Sequence, residues 1–294
     1  MVVVAFFAQT LRIAVPYLLA AAGGVMSERA GLIALTLEGY MLGGAFGAAI
    51  GSYYSGSPVV GALFGMVIGT ALALLYAVSA LRFRANQVVT GVAINLLVIG
   101  LTRFFLRLLF DSSSNSPRVP GFGRASTGSG FGALALNPLV YAGLLSLVLV
   151  GWVLARTAFG LRVRAVGEHP EAAASVGVNV ARIRYLAVAA SGALAALGGV
   201  YLALDQHQFT DQMTAGRGFI ALAATIFGRW EPKRVAFACV LFAAAETFQI
   251  QLQGTQLLPS QFVEMIPYVL TIVALAGVVG RAVPPAALGR DEPA

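Results

Sequence analysis

"GLRVRAVGEHPEAAASVGVNVARIR", Gly160 to Arg184, is a charged, proline-punctuated stretch between runs that are almost wholly Leu, Ala, Val and Gly. Pro170 suits the first turn of a helix, where its missing N–H costs nothing. Glu171 is favourable at the positive N-terminal end, and Ala172, Ala173, Ala174 and Ser175 have high to fair helix propensity. Gly177 supplies a stop because glycine accepts the left-handed conformation. Asn179 is then placed to cap the next helix, which enters through Arg182, Arg184 and Tyr185. The spacing predicts a helix of about two turns, too short to stand alone in water. It packs either on the protein's own loops or in the cleft of a partner.

The rest of the chain says what surrounds this insert. Of 294 residues, 59% are hydrophobic and 11% charged, against about 45–50% and about 25% in soluble domains. Mean hydropathy is +0.84. Such a chain cannot cover a water-facing surface, so it belongs in a membrane. A net charge of +7 fits orientation by the positive-inside rule better than nucleic-acid binding, since the arginines lie between apolar segments. The single cysteine, Cys239, excludes a disulfide framework or thiolate metal cluster within the chain. No removable signal peptide is read at the start.

A membrane span needs about 20 mostly apolar residues. Candidate segments are 4–26, 31–54, 58–81, 88–110, 138–156, 185–204, 216–229, 234–252 and 262–281. The seventh is short and fits a half-inserted helix. The expectation is an all-α polytopic membrane protein with eight or nine transmembrane segments, residues 1–294 forming one domain. Loop 111–137 is then external and loop 156–184 cytoplasmic. Arg82, Arg84, the "GRWEPKR" link, Arg281 and Arg290 fall on the same side as the insert, and the N-terminus lies outside. Gly43, Gly47, Gly51 and Gly61, Gly65, Gly69 are each spaced by four, which favours tight packing of segments two and three. "RAGLIAL" from Arg29 echoes "RGFIAL" from Arg217, as inverted repeats in transporters do.

Chemistry-bearing residues are few. There is no phosphate-cradling G-x-x-x-x-G-K-[ST], and Lys233 is the only lysine. His169 and His207 lack a metalloprotease context. Glu38, in segment two, is the deepest carboxylate of the chain: a pathway-lining or helix-locking acid, a structural hydrogen-bonding group, or a proton-coupling site. Gln87, Gly91, Asn95 and Thr102 fall within about 80° on segment four at 100° per residue. That stripe faces either a pore or hydrogen-bonding neighbours, and Thr90 joins it as a pathway candidate. Arg103, Arg107 and Asp111 read as interfacial anchors with a local ion pair. Glu246, Gln249 and Gln253, and the set Asp205, Gln206, His207 and Asp211, lie toward the outer water, the latter lining a vestibule or capping a helix. The Ser-, Gly- and Pro-rich 111–137 loop is a linker or a docking surface.

"FGLRVRAVGEHPEAAASVGVNVARIRYLAVAASGALAALGGVYLA" resembles the cytoplasmic loop and following span of ABC-importer permeases of the branched-chain amino acid and simple-sugar type. "SERAGLIALTLEGYMLGGAFGAA", "NQVVTGVAINLLVIGLT" and "GRGFIALAATIFGRWEPKRVAFACVLF" resemble the shorter of two permeases in nucleoside importers served by a basic-membrane-protein-type lipoprotein. The resemblance covers residues 10–280. It departs where family members read "GVVNIGLEG": Ala34 and Thr36 stand for Asn and Gly, while Glu38 and Gly39 are retained.

The resemblance implies a transport subunit, not an enzyme, in the bacterial inner membrane. It implies a second, non-identical permease, two cytoplasmic ATPase subunits and an external binding lipoprotein. ATP and Mg would sit in the ATPase chains and no cofactor in this one. Glu168, His169 and the helix Pro170–Val176 up to Gly177 would be the coupling element seated on the ATPase. The implied solute is a nucleoside. The alternatives are simple sugars or branched-chain amino acids, or a proton-coupled secondary transporter using Glu38.

Overall fold

The structure, a computed structural model, describes residues 2–122, 137–253 and 283–290. Its elements are helical. α1 is Val2–Arg29, α2 Leu37–Ser55, and α3 Pro58–Ala77, which runs on through a π-helical turn, Val78–Arg82. α4 is Gln87–Phe110, α5 Pro138–Arg156, α6 Ala158–Glu168 and α7 Pro170–Ser175. α8 is Val180–Asp205, α9 Arg217–Phe227 and α10 Pro232–Gln253.

The helix starts follow local chemistry. Asn86, Asn137, Thr157 and Asn179 cap α4, α5, α6 and α8 by accepting from backbone N–H groups of the first turns. Pro58, Pro138 and Pro170 occupy first turns. Gly177 has φ +84° and ends α7 as its sequence position predicts.

α8 is the central helix, with α1, α2 and α3 packed round it. Small residues let the backbones meet. A side chain on Gly65 would sit 2.5 Å from the Gly44 carbonyl, and one on Gly61 would sit 2.7 Å from the Ala48 carbonyl. This is the tight α2–α3 seam that the two glycine triples predict. The outward faces of α3, α4 and α5 carry exposed Leu, Val and Phe, the surface a lipid solvent requires.

Six helices among the described residues are long and apolar enough to cross a membrane: α1, α3 with its π turn, α4, α5, α8 and α10. The expected eight or nine is therefore corrected. The 31–54 segment leaves the helix over its first residues, and its helical part is diluted by glycines, tyrosines and Glu38. The 216–229 segment yields 11 helical residues. α2 is largely buried and α9 buries one face, Gly218, Ala221, Ala224 and Thr225, against other helices, so neither needs the length or hydropathy of a helix surrounded by lipid. The segment 262–281, with Arg281, and residues 123–136 of the external loop lie outside the described residues. The sequence echo has no common conformation: Ala30–Leu35 is non-helical, whereas Arg217–Leu222 opens α9.

Candidate functional site

Two stretches leave the helix inside the bundle, and their backbone groups must find partners there. The first joins α1 to α2. Arg184 donates to the Ala30 carbonyl, Ser27 to that of Leu32, and Tyr76 to that of Ile33 at 2.8 Å. The Ile33 N–H donates to Gln87, and the Ala34 N–H to the buried Glu28 carboxylate. Asn95 donates from Nδ2 to the Leu35 carbonyl and accepts at Oδ1 from the Gly39 N–H, both at 2.9 Å. The second oxygen of Glu28 accepts from the Trp230 indole. The α4 stripe thus secures the break, and Gly91 leaves room for Leu35 against that face.

The second stretch joins α8 to α9. At one end of the bundle its residues pair with the irregular segment 114–119 through an isolated bridge, Asn115 to Thr210, and three further main-chain bonds: Ser116 N–H donates to the Phe209 carbonyl, Val119 N–H to that of His207, and Asp211 N–H to that of Ser114. Deeper in, the partner is Glu38. Its Oε1 accepts from the Thr214 hydroxyl at 2.6 Å and the Gly216 N–H at 2.9 Å, and Oε2 accepts from the Gly218 N–H at 2.7 Å. A carboxylate placed on the first N–H groups of α9 meets the positive end of its dipole. α9 has 11 residues, about 16 Å at 1.5 Å per residue, or about half of a 30 Å apolar core. The Glu38 contact therefore lies at the start of a helix too short to cross by itself. Beside it Arg217 pairs with Glu246 at 2.9 Å, and Glu246 also accepts from Tyr17.

At this junction lies a cavity of about 210 Å³. Glu38, Asn95, Gln212 and Thr214 give it polar walls; Leu42, Ile99 and Phe219 give it apolar ones. It can take a solute with hydrogen-bonding groups on one side and a flat apolar face on the other. Among the described residues no cluster of three His, Cys, Asp or Glu side chains is placed to hold a metal.

At the opposite end from the 114–119 segment, α6 and α7 form the charged insert. Gly167 lies so close to the Arg29 carbonyl that a side chain there would collide with it. Residues 283–290 strap this corner: Ala286 N–H donates to Glu168, Ala287 N–H to the Gly167 carbonyl, and Gly289 N–H to the Gly31 carbonyl. α7 has six residues, shorter than the two turns expected. Ala173 is its one buried position; Glu168, His169, Glu171, Ala172, Ala174, Ser175, Val176 and Gly177 are exposed, and Val176 is 78% exposed.

The expected site residues separate accordingly. Glu38 and Asn95 meet at the cavity wall. Gln87 sits at the first break, Thr102 donates to the Ile99 carbonyl of its own helix, and Thr90 is partly exposed on another face of α4. Arg103 pairs with Asp211 at 2.9 Å, not with nearby Asp111, whose backbone is left-handed at the end of α4. Asp205 likewise pairs with Arg12. The sequence reading missed Thr214, Gly216, Gly218, Phe219, Glu28 and Trp230. "TAGRG" from Thr214, a small-residue run before a short helix, was the available signal.

Residues 6–275 match the family described as branched-chain amino acid transport system / permease component. The guanosine ABC transporter permease NupQ of Bacillus subtilis is 38% identical over 303 aligned positions, covering 95% of this chain and 93% of that one. The nucleoside ABC transporter permease NupC of Lactococcus lactis is 35% identical, covering 93% and 92%. A solved ABC transporter assigned to the metal-chelate type, in an inward-facing conformation, superposes with a TM-score of 0.56 at 17% identity, covering 91% of this chain and 84% of that one. This last likeness is one of fold.

Proposed function

This chain belongs to the branched-chain amino acid transport system / permease component family, and on that premise we infer that the solute it carries is a nucleoside. The chain is a multi-pass permease subunit of an ABC importer and not an enzyme. In such an importer the permease works with an ATPase and an extracytoplasmic binding protein, which removes the self-contained proton-coupled alternative. The observation that carries the nucleoside reading is the likeness to NupQ and NupC over more than nine-tenths of each chain. The cavity supports it, since a nucleoside combines hydroxyl and N–H donors with a flat ring.

The remaining assignments belong to the same proposal. Glu38 and Asn95 line the solute pathway, and Gln87, Thr90 and Thr102 flank it along α4. Glu168–Gly177 is the element on which the ATPase acts. Its exposed tip supports this, and so does its seat on the end of α1, from which a push reaches the first break. The resemblance to the shorter of two permeases supports a longer, non-identical partner and a binding lipoprotein.

The test is uptake of labelled guanosine by proteoliposomes holding the permease pair, the ATPase and the loaded binding protein. The expected result is ATP-dependent uptake competed by other nucleosides and not by glucose or leucine. Competition by glucose or leucine alone would overturn it. In the same assay Val176→Asp, at an exposed apolar tip, is expected to lower uptake about tenfold or more by spoiling an apolar contact. Ala173 is unsuitable for that test because it packs inward.

A further inference from the structure

The start of α9 is the kind of place that holds the carboxylate of a carried solute, because a half-helix points its N–H groups at an anion. Here the place is taken. All three partners of the Glu38 carboxylate are donors from that turn, at 2.6, 2.9 and 2.7 Å. Gly218 has no side chain because one would run into the Glu38 backbone, so the glycine is what lets the acid seat itself. The one cation on this turn, Arg217, is also engaged by an internal carboxylate, Glu246. Both features that would attract an anion to the cavity are therefore spent within the chain.

We propose that Glu38 is a resident occupant of the α9 anion site and determines specificity: the cavity it lines admits uncharged solutes and turns away those bearing a carboxylate. A zwitterionic amino acid finds no anion-holding group there. An uncharged solute finds Asn95 and Gln212 amides for its polar edge and the half-exposed Phe219 ring for its apolar face. The proposal rests on the reading of this cavity as the solute pathway, and it refines the class of solute.

The test uses the assembled permease pair with its ATPase and the variants Glu38→Ala and Glu38→Gln. In detergent, Glu38→Ala is expected to melt lower than the parent. Acetate in the tens of millimolar restores most of that loss, whereas acetamide and chloride do not, and the parent does not respond. In proteoliposomes, benzoate brings both a carboxylate and a ring. It is expected to inhibit uptake about tenfold more strongly in Glu38→Ala than in the parent, since a charge-assisted site has been vacated. Glu38→Gln keeps the size and removes the charge, and it carries the test if the alanine variant does not assemble. It is expected to show several-fold greater benzoate sensitivity than the parent. Equal benzoate sensitivity in parent and variants, or an acetate effect that does not distinguish Glu38→Ala from the parent, would overturn the proposal. The nucleoside reading fails separately, in the parent alone, if guanosine is not taken up. The benzoate comparison then runs unchanged on the solute that is.

Discussion

Between Arg29 and Leu37 the backbone is held by side chains of α1, α3, α4 and α8 and by the 283–290 strap. Between Asp205 and Arg217 it is held by a short main-chain ladder to residues 114–119 and, deeper in, by Glu38. The first break has a dedicated partner for group after group, from chain positions far apart. The second places a single acid at its inner end and leaves a cavity beside it. An unpaired backbone group is costly where water is excluded, so both breaks are expensive. On the proposed reading of Glu168–Gly177 as the element the ATPase acts on, the first is a fixed joint between the insert and α2. The second spends its donors on Glu38 and, on the proposed reading, lines the solute space with that acid.

The largest test of this contrast is Glu28→Ala. It strands the Ala34 N–H and the Trp230 indole in a buried place, at about 1–3 kcal/mol for each. Thermal unfolding of the purified complex is expected to shift strongly downward, and the fraction that assembles is expected to transport normally. Asn95→Leu comes next, stranding the Gly39 N–H and the Leu35 carbonyl, about 2–4 kcal/mol. Because Asn95 belongs to both regions, stability and uptake are expected to fall together. Truncation after residue 282 removes the strap's bonds to Gly31, Gly167 and Glu168. Glu168 is exposed, and the cut opens the buried Gly31 and Gly167 carbonyls to water, so a loss of about 1–2 kcal/mol is expected by chemical denaturation, with ATP hydrolysis less tightly tied to uptake.

Much of the scaffold was legible in the sequence because its causes are local. Apolar runs, asparagine and threonine caps, the Pro170 start, the Gly177 stop and the glycine triples each act within a few residues or across one helix pair. The breaks were not legible, because their partners are distant: Tyr76, Asn95 and Arg184 secure residues 30–39. Arg103 illustrates the same limit. Sequence spacing offered only a local ion pair within Arg103, Arg107 and Asp111, yet Asp211, 108 residues away, holds Arg103. Glu38 was legible as a costly acid but its role was not, since that depends on Thr214, Gly216 and Gly218 arriving from the far side of the chain. The count of spans failed for a related reason. Hydropathy reports contact with lipid, whereas 31–54 is largely sheltered by protein and 216–229 forms a helix of only 11 residues.

The smallest expected effect on stability gives the most direct test. Tyr76→Phe and Thr214→Val each delete one hydroxyl donor, the first from the Ile33 carbonyl and the second from Glu38. Each is expected to cost about 1 kcal/mol. The measurement is the initial rate of guanosine uptake per assembled complex for the two variants side by side. A parental rate is expected for Tyr76→Phe and a several-fold loss for Thr214→Val. Equal rates, or a loss confined to Tyr76→Phe, would contradict the contrast between the two breaks.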